Sequence, residues 1–266
     1  MCMKKVLTFA VLISCIFWGC KKVKKISYAG VFKLEKQTIS GGGQDTAWIK
    51  NQMKIYTDQN YIYGGIATDS SVHIGVGTYE LDSSNRIDEH NIFNSRALDS
   101  TQIFVVSVTK KNNGFIGTVP EWARTGSAWH KLTEEYTSLP LTGPSILDGI
   151  WELDKMYKVK GKDTAVQHET RFKVFWRGHF MFIHRYPIDA LGTRFKDGFG
   201  YGDFNLKENI LTEEKKMSSH KELVNQKSAT KIILNNDDKY TQVVNDEKTH
   251  QQTTEIYKRI RKYSMF

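Results

Sequence analysis

The feature that most constrains this chain is its likeness to itself. When the sequence is slid so that Gly30 falls on Gly149, Gly30-Val31-Phe32-Lys33-Leu34 meets Gly149-Ile150-Trp151-Glu152-Leu153, and Met53-Lys54-Ile55-Tyr56 meets Phe172-Lys173-Val174-Phe175. In the same frame Tyr61-Ile62-Tyr63 meets Phe180-Met181-Phe182. After a short insertion in the second copy, around Pro187 to Arg194, Gly75-Val76-Gly77-Thr78-Tyr79 falls on Gly200-Tyr201-Gly202-Asp203-Phe204. Further on, Trp129-His130-Lys131-Leu132 roughly matches Tyr257-Lys258-Arg259-Ile260. A repeat of this length implies one folding unit copied in tandem. The join, Ser138-Leu139-Pro140-Leu141-Thr142-Gly143-Pro144, has the Pro and Gly content of a linker.

Within each copy, apolar and polar residues alternate with period two in short runs. The runs are separated by polar turns such as Thr57-Asp58-Gln59-Asn60, Asp82-Ser83-Ser84-Asn85, Lys111-Asn112-Asn113-Gly114 and Asn235-Asn236-Asp237-Asp238. Short turns join antiparallel neighbours, and about eight strands fit into each copy. No long segment keeps the 3.6-residue period of a helix. With only 4 Pro in the chain to protect sheet edges, a closed up-and-down barrel is favoured over an open sheet. The expected fold is all-β, two tandem antiparallel up-and-down barrels, with β-sandwiches as the alternative.

The N-terminus carries an address. Lys4 and Lys5 precede an apolar run from Val6 to Gly19 that is too short to span a bilayer and has the layout of a secretory signal. Phe17-Trp18-Gly19-Cys20 resembles the lipobox of bacterial lipoproteins, which implies lipidation of Cys20; Leu12-Ile13-Ser14-Cys15 also fits, making Cys15 the alternative. Lys21-Lys22-Val23-Lys24-Lys25 follows Cys20 at once, as a tether facing anionic headgroups would. The expected organisation is a lipoprotein signal peptide over 1–19, a lipidated Cys and basic tether over 20–27, barrel 1 over 28–137, a linker over 138–147 and barrel 2 over 148–266. All 3 Cys lie in the leader, so no disulfide is expected beyond it. The formal charge of +9 is concentrated in leader and tether, and Lys258, Arg259, Arg261 and Lys262 read as a solvated strand face, so no nucleic-acid partner is expected.

Gly149-Ile150-Trp151, opening the second copy, resembles the lipocalin G-x-W signature, and Arg259 or Arg261 in the last strand resembles the Arg that packs over that Trp. The barrel-base pair implied is Trp151 with Arg259. The first copy has Phe32 at the Trp position and Lys131 at the Arg position in the frame above. The layout as a whole resembles the tandem lipocalin-like domains of uncharacterised Gram-negative lipoproteins, and the resemblance implies binding. In such lipoproteins acidic residues after the lipidated Cys often mark export to the surface. Their absence from Lys21 to Lys25 points to a lipid-anchored protein of the cell envelope, at the outer membrane facing the periplasm.

An eight-stranded barrel is filled by its own side chains or holds one small ligand. On one strand Phe172, Val174 and Trp176 share a face and Arg171, Lys173, Phe175 and Arg177 share the other. The apolar face is the expected interior, joined by Trp151 and Leu153 and, in the first copy, by Phe32, Leu34, Met53 and Ile55. These nine are the candidate cavity residues, whether they leave an aromatic-walled cavity or pack the barrel solid.

No chemistry converges. His179 and His184 are poorly placed to share a metal and the other His are scattered; Ser107/Lys110, Ser218/Lys221 and Ser228/Lys231 match S-x-x-K without companion motifs. Glu134-Glu135 and Glu213-Glu214 are neighbours that alternate faces on a strand, so neither is a carboxylate dyad. No catalytic residue, metal or cofactor is expected. The function expected is a non-enzymatic, membrane-anchored lipoprotein binding a small apolar or amphipathic ligand; the alternative is a structural or interaction module with filled barrels docking another envelope protein.

Overall fold

Alternating runs become strands because a period of two buries one face of a pleated ribbon against its neighbours and turns the other away. In the computed structural model, which describes residues 28–41, 49–95, 102–125, 128–161, 163–189, 191–246 and 251–261, the chain forms two closed eight-stranded antiparallel barrels in tandem. Residues 1–27, with Cys15, Cys20 and the basic tether, lie outside the described residues.

Barrel 1 closes in chain order through β1 (Gly30–Ser40), β2 (Ile49–Tyr56), β3 (Asn60–Ala67), β4 (Val72–Leu81), β5 (Arg86–Asn94), β6 (Ile103–Lys111), β7 (Gly114–Thr125) and β8 (Ala128–Ser138), which pairs back with β1. Barrel 2 begins with β9 (Gly149–Lys160), and a short β10 (Asp163–Gln167) pairs with the far half of that strand. It continues through β11 (Thr170–Trp176), β12 (His179–Pro187), β13 (Phe195–Lys207), β14 (Ile210–Ser218), β15 (Lys227–Asn236), β16 (Lys239–Asp246) and β17 (Gln251–Arg259). Closure runs through β17 against β9.

The hydrogen-bond ladders show how closely the copies correspond. Gly30 pairs with Tyr56 and Gly149 with Phe175; Tyr63 pairs with Gly75 and Phe182 with Gly200. Even the bulges repeat. One sets Ile92 of β5 as an extra residue opposite the Val76–Gly77 step of β4, and Lys216 of β14 opposite the Tyr201–Gly202 step of β13; another falls at Glu35 in β1 and at Asp154 in β9. At the first, a Cβ on Gly77 would sit 2.0 Å from the His90 carbonyl oxygen and one on Gly202 1.8 Å from that of Glu214, so only glycine lets the bulged strand close on its neighbour. In one place the ladders correct the sequence frame. Arg259 pairs with Trp151 where Ser138 pairs with Phe32, so Ser138, and not Lys131, occupies the Arg259 position of barrel 1.

Three apolar clusters organise the molecule. Phe32, Leu34, Tyr56, Tyr79, Phe115 and Tyr136 fill the base of barrel 1; Trp151, Phe175, Phe180, Phe204, Tyr240 and Tyr257 fill barrel 2. The third cluster lies between the barrels, joining Val31, Met53, Ile55, Ile62, Ile74 and Val76 of the first to Ile150, Phe172, Val174, Met181, Ile183 and Phe199 of the second. Here the structure reverses an expectation. Met53, Ile55, Phe172, Val174 and Trp176 are buried, but in this shared layer rather than inside a barrel. Arg171, Lys173 and Phe175 are the inward set. The physical reason is that a second barrel covers the apolar outer face, while inward charges are paired with one another. Arg185 also crosses the junction: its guanidinium donates to the Ser95 carbonyl at 2.8 Å and lies over Phe93.

Candidate functional site

Inside barrel 1, above the aromatic base, lies a cavity of about 90 Å³. Each lining strand contributes by alternation. β2 sends in Gln52, Lys54 and Tyr56; β5 sends in Glu89 and Asn91; β8 sends in Leu132, Glu134 and Tyr136; β6 and β7 add Phe104, Val106, Gly117 and Val119. Of these, polar side chains come from β2, β5 and β8, and the apolar ones from β6, β7 and Leu132 of β8.

The polar side chains form a connected network. Lys54 Nζ lies 2.6 Å from Glu89, both nearly inaccessible at 6% and 5%, and the ammonium also lies over the Tyr56 and Tyr61 rings. Tyr56 donates its hydroxyl to Glu89, and Tyr61 donates to Asn91 at 2.7 Å. Glu134 accepts from Gln37 at 3.0 Å and from the Tyr136 hydroxyl at 2.8 Å, with Gln52 at 3.5 Å. Burial first, then the carboxylates beside them, hold the Tyr56 and Tyr136 phenols well above their ordinary range, so both stay protonated donors.

Barrel 2 keeps the ionic frame of this network. By register Lys173 stands for Lys54, Glu213 for Glu89, Glu255 for Glu134 and Tyr257 for Tyr136. Lys173 meets Glu213 at the same 2.6 Å, and Tyr257 donates to Glu255 at 2.9 Å. Phe175, Phe180, Met156 and Lys215 replace Tyr56, Tyr61, Gln37 and Asn91, Arg171 stands where barrel 1 has Gln52, and Gln242 where it has Gly117. Arg171 ion-pairs with Glu255 and Glu169, while the Gln242 amide donates to Glu255 and accepts from Lys173. Desolvation alone would raise the Glu255 carboxyl, but Arg171 and Lys173 outweigh it and hold the group below the usual range.

The nine candidates from sequence divide. Phe32 and Leu34 pack in the base of barrel 1, and Trp151 and Leu153 in barrel 2; Met53, Ile55, Phe172, Val174 and Trp176 lie between the barrels. None lines the barrel 1 cavity. Arg259 places its guanidinium carbon 4.1 Å from the Trp151 ring centroid and donates to the Asp148 and Ile146 carbonyls, while the indole donates to the Leu147 carbonyl. A Cβ on Gly149 would lie 2.5 Å from that guanidinium, which accounts for the glycine.

Of the residues that line the cavity, only Glu134 stood out in sequence for its chemistry, as one of two neighbouring Glu; the charged stripe Arg171, Lys173 and Phe175, and Glu213, belong to the matching interior of barrel 2. The partners Glu135 and Glu214 point outward and pair with Lys111 and Lys227. His184 and His220, far apart in sequence, meet at 3.2 Å between ring nitrogens. Burial, with Arg171, His220 and Lys196 nearby, lowers His184 to about 3, so it is neutral at pH 7. Among the described residues no group of three or more His, Cys, Asp or Glu is placed to hold a metal.

No family model matches this chain, and no curated protein matches it. Among solved structures it is similar to a protein of unknown function from the DUF3598 family of Nostoc punctiforme PCC 73102. The identity is 10% and the TM-score 0.27, over 88% of this chain and 96% of that one.

Proposed function

We propose that this protein is a membrane-anchored, non-enzymatic lipoprotein that holds one small amphipathic molecule per chain inside barrel 1. The observation that carries the reading is the mixed lining of the cavity: a hydrogen-bonded ionic network and the apolar side chains of Phe104, Val106 and Leu132 border one space of about 90 Å³. Concave sites with a few convergent polar groups on an apolar wall are where small ligands bind. Barrel 2, with Arg171 and Gln242 reaching into the equivalent space, serves in this reading as the companion that shields the apolar face of barrel 1. The anchor is read from Lys4, Lys5, the apolar run and Cys20, and the location, an outer-membrane leaflet facing the periplasm, from the basic tether at Lys21 to Lys25.

Native mass spectrometry of the chain released from the envelope of cells that make it tests the reading. One small molecule per chain is expected, and it should be absent from a folded Gly117→Gln variant, whose new side chain occupies the cavity as Gln242 does in barrel 2. A chain that carries no small molecule, or keeps it in Gly117→Gln, contradicts the proposal.

A further inference from the structure

Barrel 2 shows how this fold completes the same interior with its own side chains. Its inward carboxylates Glu213 and Glu255 are met by Lys173 and Arg171, and Lys215, at the position of Asn91, stands beside Glu213 as well. Barrel 1 retains both carboxylates, as Glu89 and Glu134, but of these cations only the first, as Lys54. Lys54 is committed to Glu89 at 2.6 Å. Among the described residues no Lys, Arg or His nitrogen lies within ion-pair distance of Glu134, whose donors are the neutral groups of Gln37, Gln52 and Tyr136.

The missing charge and the missing volume coincide. Gln52 is shorter than Arg171 and lacks its guanidinium, Gly117 lacks the whole of the Gln242 side chain, and both border the cavity. A carboxylate facing a partly desolvated space is stabilised most by a cation that can hydrogen-bond to it. An anion would meet Glu134 and Glu89 with only one lysine between them.

We infer that the ligand of barrel 1 presents a guanidinium or primary ammonium group to Glu134, in the place that the Arg171 side chain fills in barrel 2, with a short apolar remainder against Phe104, Val106 and Leu132. The inference rests on the cavity being the binding site and names the chemistry that site selects. Arg171 is in effect a built-in occupant, so barrel 2 needs no ligand.

Isothermal titration of the full chain with four probes of matched size tests it: butylguanidinium, butylammonium, 1-butanol and butyrate. Both cations should bind at least about tenfold more tightly than butanol or butyrate, the worth of one charge-assisted contact. Glu134→Gln should lose that preference. Gln52→Arg, which supplies the barrel 2 cation, should bind neither cation and unfold at a higher temperature. Equal binding of butanol and the cations, a preference that survives Glu134→Gln, or no binding of either cation overturns the inference. The first two outcomes leave the cavity as a binding site that ignores charge. If Gly117→Gln leaves all probe binding unchanged, the binding reading itself fails.

Discussion

Lys54 and Lys173 are 6% and 5% exposed and each faces one carboxylate at 2.6 Å. Charges at that depth persist only as pairs, because the desolvation cost of each is offset by its partner and by further hydrogen bonds. Removing one partner leaves the other charge buried alone. Lys54→Met and Lys173→Met should therefore each lower stability by about 3–5 kcal/mol in urea denaturation. Adding Glu89→Leu to the first should recover much of that loss. A Lys54→Met protein as stable as the parent would show that the pair is not buried as described. At this scale the sequence was readable where a residue's chemistry has one common use. The Trp151–Arg259 pair was legible through the resemblance of Gly149-Ile150-Trp151 to the G-x-W signature, whereas a Lys between apolar residues is most often a solvated side chain, and Lys173 is not.

The strand count, the turns and the duplication could be read directly, since alternation and turn chemistry are local signals. Which face looks inward could not. A period of two defines two faces and is silent about what lies beyond each, and assigning the apolar face of β11 to the interior assumed that water covers the other side. In fact barrel 1 covers Phe172, Val174 and Trp176, while the charges on the opposite face satisfy one another inside. Gly77 and Gly202, opposite the bulges of β5 and β14, owe their identity to backbone contacts. Gly202→Ala would set a methyl group against the Glu214 carbonyl, and it should cost about 1–3 kcal/mol through forced backbone shifts. Gly143→Ala, with nothing within 4 Å of its Cβ, should change stability by less than about 0.5 kcal/mol. Equal effects of the two in the same denaturation assay would remove the bulge from the account.

Across the whole molecule, the layer between the barrels is built from matching positions of the two copies: Val31 with Ile150, Met53 with Phe172, Ile55 with Val174, Ile62 with Met181 and Ile74 with Phe199 each occupy one register position twice. The same patch thus serves on both units, as at the self-complementary interface of a two-fold dimer. Neither barrel could expose that face to water without presenting a large apolar surface. Phe199→Ala, deep in the layer, should cost about 3–5 kcal/mol, and calorimetry of the parent chain should show one unfolding transition rather than two. Two separate transitions, with that of barrel 1 unaffected by Phe199→Ala, would mean the barrels fold independently. The cavity itself emerges only at this scale. It comes from the absence of a side chain at Gly117 and a shorter one at Gln52, and an absence becomes visible only when register sets the two copies side by side. The most direct test of the account is an electron-density map of the chain crystallised as isolated from the cells that make it. The account predicts a bound molecule in barrel 1 with a nitrogen-bearing group against Glu134, and side-chain density from Arg171 and Gln242 in the matching space of barrel 2. A ligand in barrel 2, or barrel 1 closed over Glu134 by its own side chains, would contradict it.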